Sequence, residues 1–437
     1  MSDPLPRRGI CCLLLLLLLP CSAHAQAPGA LPTDGQVDAA IALDRATLES
    51  QPNNADALAH LGSLLVAKGR YDEAAAILER AIALNPADGE SNLNLGLALY
   101  HTRKFEAAIA AYRKAIALNP KFPEALNGLG AALYQTGQVD DAIAAYRSAI
   151  ELKPDYFDAL NNLGAALDDK QQWDDAAAAY QRALAIQPKS TFVLPALAAA
   201  LNHAGRTDEA IEAYRKGLAL NPRDDAAWFQ LGHLLYEQGH LAEAVQALQR
   251  SIQLRPGQSE AYFNLARALQ DENKTAEAIA AYQKGLAVNP GDAAALYNLG
   301  NAYRSRRRFS EAAGAYHKAL AQQPQSPEAL AALASALASE GKFEESIATY
   351  QQLVALHPDD AEIQFDLANV FFNKGDYVSA VASYGEAIRL KPDLARAHYN
   401  LALTLGRQHE YKAALSEFQE AHRLDASLPV PRDNSSH

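Results

Sequence analysis

Residues 228–256 read WFQLGHLLYEQGHLAEAVQALQRSIQLRP, and the fold of the whole chain turns on this stretch. Trp228, Leu231 and Leu235 recur at intervals of three and four, which places them on one face of a first helix. Gly232 removes a side chain from that face, so a second helix can approach closely. Gly239 interrupts the pattern, after which Ala244 and Leu248 form the facing stripe of the second helix and Ser251 follows. Pro256 cannot continue a helix and ends the unit. The stretch reads as a helix hairpin in which large residues pack into small ones.

The punctuation recurs without slippage. Proline stands at 52, 86, 120, 154, 188, 222, 256, 290, 324, 358 and 392, each step being 34 residues. The anchors keep the same phase: Leu61-Gly62, Leu95-Gly96, Leu129-Gly130, Leu163-Gly164 and Leu299-Gly300, with alanine in place of the glycine at Ala198, Ala266, Ala334, Ala368 and Ala402. A fixed 34-residue period with this signature resembles the tetratricopeptide repeat. The resemblance covers roughly residues 37–426 and implies an all-α, right-handed α-solenoid superhelix of helix-turn-helix repeats. Eleven full repeats begin at residues 55, 89, 123, 157, 191, 225, 259, 293, 327, 361 and 395, so the array spans 55–426. Val37, Ile41 and Leu48 match second-helix positions, so residues 36–54 read as an N-terminal capping half-repeat.

Residues 1–25 combine Arg7 and Arg8, an apolar run from Ile10 to Leu19 and Ala23-His24-Ala25. Basic flank, short apolar core and A-x-A predict a secretory signal peptide cleaved after Ala25, and hence a periplasmic or secreted protein. The core is too short for a spanning helix, which needs ~20 apolar residues. A lipoprotein signal ending at Cys21 is the alternative, although Pro20 fits a lipobox poorly. A Pro/Gly linker follows at 26–35, and a polar tail at 427–437 is expected to be disordered.

Cys11, Cys12 and Cys21 all lie in the segment expected to be removed, so the mature chain has no thiol for disulfides, metal or nucleophilic catalysis. Without Arg7, Arg8 and Asp3 the net charge of −12 becomes −13. That balance argues against a sequence-independent grip on nucleic acid or anionic lipid. Acidic pairs at second-helix starts, such as Asp72/Glu73, Asp140/Asp141, Asp174/Asp175 and Asp208/Glu209, suit the positive end of a helix dipole and are structural. Asp168 and Asp169 instead end a helix, where the dipole disfavours them, which leaves open a cation or basic-peptide role. Arg304 and Arg306-Arg307-Arg308 form a basic knot that reads as a solvated turn. Pro195 falls inside a first helix, which must start late or kink. Asn273, Arg307 and His409 replace a turn glycine.

No glycine-rich phosphate loop, HExxH or nucleophile elbow occurs, and the offsets of His203, His233 and His240 do not converge as metal ligands would. No enzyme, metal or cofactor is expected. Arrays of this kind often precede a glycosyltransferase domain, but only eleven residues follow Ala426.

The resemblance implies that first helices line a groove whose ligands touch the fifth, sixth, ninth and twelfth residues of each repeat. On that pattern the candidate peptide-binding residues are Phe229, Gln230 and His233, then Phe263, Asn264 and Arg267, then Tyr297, Asn298, Asn301 and Arg304. Tyr236 and Gln270 share the twelfth position with Arg304. Amides able to bond an extended backbone, flanked by aromatics, suit a peptide. Asn94, Asn162, Asn264, Asn298 and Asn400 at the sixth position resemble the asparagine ladder of the O-linked GlcNAc transferase's repeat domain, though Gly128, Ala196, Ala332 and Asp366 break it. No repeat carries the lysines of a carboxylate clamp. The expected role is a non-enzymatic scaffold or adaptor that binds proteins or peptides, in envelope assembly, secretion or glycan export.

Overall fold

The structure is a computed structural model describing residues 33–429. The predicted signal peptide, most of the linker and the tail beyond residue 429 lie outside the described residues. The described residues form 23 helices and no strands, in two compact units divided between Arg223 and Asp224.

In the first unit α1 (Asp34–Ser50) precedes five hairpins. These are α2 (Ala55–Ala67) with α3 (Tyr71–Leu84), α4 (Gly89–His101) with α5 (Phe105–Leu118), and α6 (Pro123–Gln135) with α7 (Val139–Leu152). Then come α8 (Phe157–Asp169) with α9 (Trp173–Ile186), and α10 (Val193–His203) with α11 (Thr207–Leu220). The second unit holds six more: α12 (Asp225–Glu237) with α13 (Leu241–Leu254), α14 (Ser259–Asp271) with α15 (Thr275–Val288), and α16 (Ala293–Ser305) with α17 (Phe309–Gln322). They continue with α18 (Pro327–Glu340) and α19 (Phe343–Leu356), α20 (Ala361–Lys374) and α21 (Tyr377–Leu390), and α22 (Ala395–Arg407) and α23 (Tyr411–Leu424). Eleven hairpins follow α1, in step with the 34-residue period. One boundary moves: α1 begins at Asp34, because Thr33 and Gln36 form a reciprocal capping box.

Each hairpin closes by setting a bulky side chain of its second helix on a small residue of its first, a glycine in six hairpins. A Cβ on Gly164 would stand 2.6 Å from the Tyr180 ring, one on Gly130 2.6 Å from Tyr146, and one on Gly232 2.7 Å from Leu248. Where alanine replaces the glycine, as at Ala266 and Ala368, it is fully buried in the same place. Tyr146 and Tyr316 are completely buried, so these rings form the centre of the core.

The loop inside each hairpin is fixed by one residue in the left-handed region, again every 34 positions. Six are glycines (69, 137, 205, 239, 341 and 375), and five are not: Arg103, Gln171, Asn273, Arg307 and His409. Arg103 and Gln171 join the three replacements noted from the sequence. First helices are often capped by a side chain, as by Asp88, Asp224 and Asp292. Second helices, α21 apart, have no side-chain cap. Their first-turn carboxylates, Asp140/Asp141 and Asp174/Asp175 among them, face the unpaired N–H groups instead.

Pro195 acts by delaying its helix. α10 begins at Val193, two residues after the repeat boundary, which leaves Pro195 in the first turn where no intrahelical N–H bond is lost. Gly217 on α11 faces Leu194 and Pro195, where a Cβ would meet them at 3.4 and 3.8 Å.

Candidate functional site

The ten candidate residues lie on α12, α14 and α16, the first helices of three consecutive repeats in the second unit. Helical periodicity puts the fifth, sixth, ninth and twelfth positions on one face, because the ninth is three or four residues from each of the others. The structure divides them into rings that face inward and polar groups that face outward.

Phe229, Phe263 and Tyr297 are half-buried and pack against the core of the central repeats. Phe263 lies over Gly285 on the second helix of its own hairpin, which has no side chain to obstruct the ring. The Tyr297 ring sits 5.7 Å from that of Tyr316, tilted by 47°. These rings therefore hold hairpins together while one edge stays accessible.

The polar residues form two local networks. Between α12 and α14, the Tyr236 hydroxyl donates to Asp271 Oδ2 at 2.7 Å, and the Arg267 guanidinium lies 4.9 Å above the Tyr236 ring. Burial, then the bond to Asp271, raises the Tyr236 pKa. His233 Nε2 lies 3.4 Å from Glu237 one turn on, and its buried Nδ1 has no hydrogen-bond partner. Within α16 and α17, Asn301 Oδ1 accepts from the Tyr316 hydroxyl at 2.8 Å. Burial pushes the Tyr316 phenol up to about 12, opposed by the nearby charge of Arg304. Gln230, Asn264 and Asn298 are half-buried, whereas Arg267 and Arg304 are exposed.

The sixth-position asparagines do not form one uniform ladder. Asn162 is buried and donates to Asn127 Oδ1 at 3.1 Å, while Asn400 donates to Asn369 Oδ1 at 2.9 Å. Asn264 and Asn298 are more accessible. Asp271 and Tyr316 were missed from the sequence, although they bind candidate positions directly. The available signal was a Tyr/Asp pair 35 residues apart, seen at Tyr236/Asp271 and again at Tyr134/Asp169.

The basic knot is partly structural. Arg307 occupies the left-handed turn position, and Arg308 bonds Glu311 at 2.8 Å while lying 4.7 Å above the Tyr303 ring. A separate open groove of about 500 Å³ lies in the first unit between α9, α10 and α11. Leu184, Leu194, Leu197 and Leu201 line it together with Asp208 and Glu212. Among the described residues no group of three or more His, Asp or Glu converges as a metal site, and no helix is long and apolar enough to cross a membrane.

Family models of the tetratricopeptide repeat match residues 33–89, 61–123, 93–157 and 127–191, and a TPR-repeat model matches 334–375 and 368–409. Residues 209–318 match the TPR domain of cytochrome c-type biogenesis protein H. No curated protein matches the chain. Among solved structures, the chain is similar to YrrB, described as a TPR protein with an unusual peptide-binding site, at 22% identity over 42% of this chain and 94% of that one, with a TM-score of 0.39. MamA aligns at 32% identity over 36% of this chain and 91% of its own, with a TM-score of 0.34. The APC/C hetero-tetramer Cut9–Hcn1 aligns at 14% identity over 90% and 91%, with a TM-score of 0.36.

Proposed function

Because the chain belongs to the tetratricopeptide repeat family, we propose that it is a non-enzymatic scaffold whose α12–α16 wall binds an extended segment of a partner protein. The observation that carries this reading is a half-buried amide on each of three first helices, joined on α14 and α16 by an exposed guanidinium group. Gln230, Asn264 and Asn298 can bond a peptide backbone, and Arg267 and Arg304 can meet its carboxylates or carbonyls. The ring edges of Phe229, Phe263 and Tyr297 offer apolar contact beside each amide.

The match of residues 209–318 to a cytochrome c-type biogenesis TPR domain supports a role in assembling other proteins. The basic flank, apolar core and Ala23-His24-Ala25 support export with cleavage after Ala25, and so an envelope setting.

The test places a photo-crosslinking amino acid at Arg267, at Arg304, or at exposed Lys284 on a second helix, in the full chain within envelope extract. Protein adducts from the first two positions and none from Lys284 are expected. Adducts from Lys284 alone, or equally from all three, would move the binding surface off this wall.

A further inference from the structure

Where a tyrosine fills the hairpin, it meets different company in different repeats. In two repeats its hydroxyl has a fixed acceptor at the ninth position of the first helix: Tyr316 donates to Asn301 at 2.8 Å and Tyr384 to Asn369 at 2.6 Å. In the repeat built from α8 and α9 the ninth position is Ala165, and the Tyr180 hydroxyl lacks that acceptor. The ring is 4% exposed, so the group is held in place without a hydrogen-bond partner among the described residues.

Around that hydroxyl stand the two carboxylates at the end of α8. Asp168 is half-buried, and its Oδ1 is shielded from solvent with no hydrogen bond. Asp169 Oδ2 accepts from the Tyr134 hydroxyl of α6. Burial is the main cause that raises the pKa of both Asp168 and Tyr180, and Asp168, Tyr134 and Asp169 each raise Tyr180 further. The C-terminal end of α8 adds its own negative potential.

Among the described residues no lysine or arginine is paired with Asp168 or Asp169. Lys170, the next residue, turns away to Asp140 at 3.0 Å. Arg206 is held by Glu209 at 2.7 Å and by Asp174 at 3.6 Å. Only the His203 imidazole comes near, at 4.0 Å from Asp168 Oδ1, and its ring lies 5.4 Å from that of Trp173. A half-buried carboxylate beside an exposed one in such a setting favours an external positive charge with N–H donors.

We propose that Asp168 and Asp169, with the Tyr180 hydroxyl between the hairpin's helices, form a seat for the ammonium or guanidinium group of a partner's lysine or arginine side chain. The side chain's ammonium or guanidinium donates to the accessible sides of the Asp168 and Asp169 carboxylates and to the Tyr180 oxygen. Its aliphatic stem lies along the Tyr134 and Trp173 rings, where a cation gains further from the aromatic faces. This seat is in the first unit and does not depend on the α12–α16 wall.

The test uses the full chain and a fluorescein-labelled decapeptide of alternating lysine and alanine, followed by anisotropy in physiological salt. Asp168→Asn with Asp169→Asn is expected to weaken binding about tenfold or more, the loss of one charge-assisted contact. Asp174→Asn with Asp175→Asn removes the same charge from the neighbouring helix start and is expected to change affinity less than about twofold, because exposed charges are screened. Tyr180→Phe is expected to weaken binding with an unchanged melting temperature. Equal loss in the two double variants would reduce the effect to general electrostatics and overturn the seat. So would undiminished binding of the lysine-acetylated peptide, or no binding of the unmodified one. If calcium chloride alone displaced the peptide and raised the melting temperature, the corner would be a metal seat instead.

Discussion

The Tyr236 hydroxyl donates to Asp271 at 2.7 Å, joining the first helices of two consecutive repeats through residues 35 positions apart. The Arg267 guanidinium covers the same ring, so one tyrosine is both a link between hairpins and part of the candidate wall. Tyr236→Phe keeps the packing and removes the bond. It is expected to cost ~1 kcal/mol in urea unfolding. A variant of unchanged stability would show that water replaces Asp271 without loss.

Two rings of the same three repeats are expected to behave differently when truncated. Tyr316 is completely buried, and Tyr316→Ala should cost ~3–5 kcal/mol. Phe263 is half-buried over Gly285, so Phe263→Ala should cost roughly half as much. Equal losses would place Phe263 wholly in the core and remove it from the candidate wall.

The five non-glycine residues in left-handed turns each carry backbone strain. Replacing Arg307 or Arg103 with glycine should stabilise by ~1 kcal/mol, seen as a higher melting temperature. Gly137→Ala should do the reverse: nothing lies within 4 Å of its Cβ, so only the φ of 81° opposes it. A rise in melting temperature for Gly137→Ala would contradict the turn geometry.

Asp168 gives the stability a pH dependence of defined sign. Burial raises its pKa, so the charged form is disfavoured by folding. The stabilising contribution is complete below the unfolded value of about 3.9 and is lost as pH rises through the folded value. Asp168→Asn should therefore raise the melting temperature at pH 7, with the gain shrinking as pH falls toward 4. A lower melting temperature at pH 7 would mean that the carboxylate is compensated by the fold.

His422 closes the last described helix. At the equivalent twenty-eighth position Ile252, Leu286 and Leu320 pack against the core, whereas His422 is exposed and meets the Leu428 carbonyl at 2.8 Å. His422→Ile releases that carbonyl and lays an apolar side chain on the terminal face, which should promote association. Light scattering that shows one unchanged species at high concentration would count against this capping role.

Much of this architecture was legible because the period aligns like with like. The proline at each boundary, the Gly/large pairing of Gly232 with Leu248 and the late start forced by Pro195 all follow from residue type at a fixed phase. The turns at Arg103 and Gln171 were passed over because no residue type there announces a positive φ. Tyr236 to Asp271 was missed for another reason: it links the twelfth position of one repeat to the thirteenth of the next. A reading that compares equal phases does not look across that offset. Side-chain direction likewise separated Asn162, bonded inside, from Asn264 and Asn298, which the sequence treats alike.

The pairing of Gly164 with Tyr180, or of Gly232 with Leu248, is completed within a single hairpin. Each such segment carries its own lock and key, to which the neighbour adds contacts such as the Tyr236 to Asp271 bond. Unequal crossing-over between two prolines of the same phase would then remove or duplicate 34 residues while leaving every remaining lock whole. Growth and shrinkage of the gene by whole repeats is therefore mechanically cheap for this fold, whereas an indel of any other length severs a glycine from its ring.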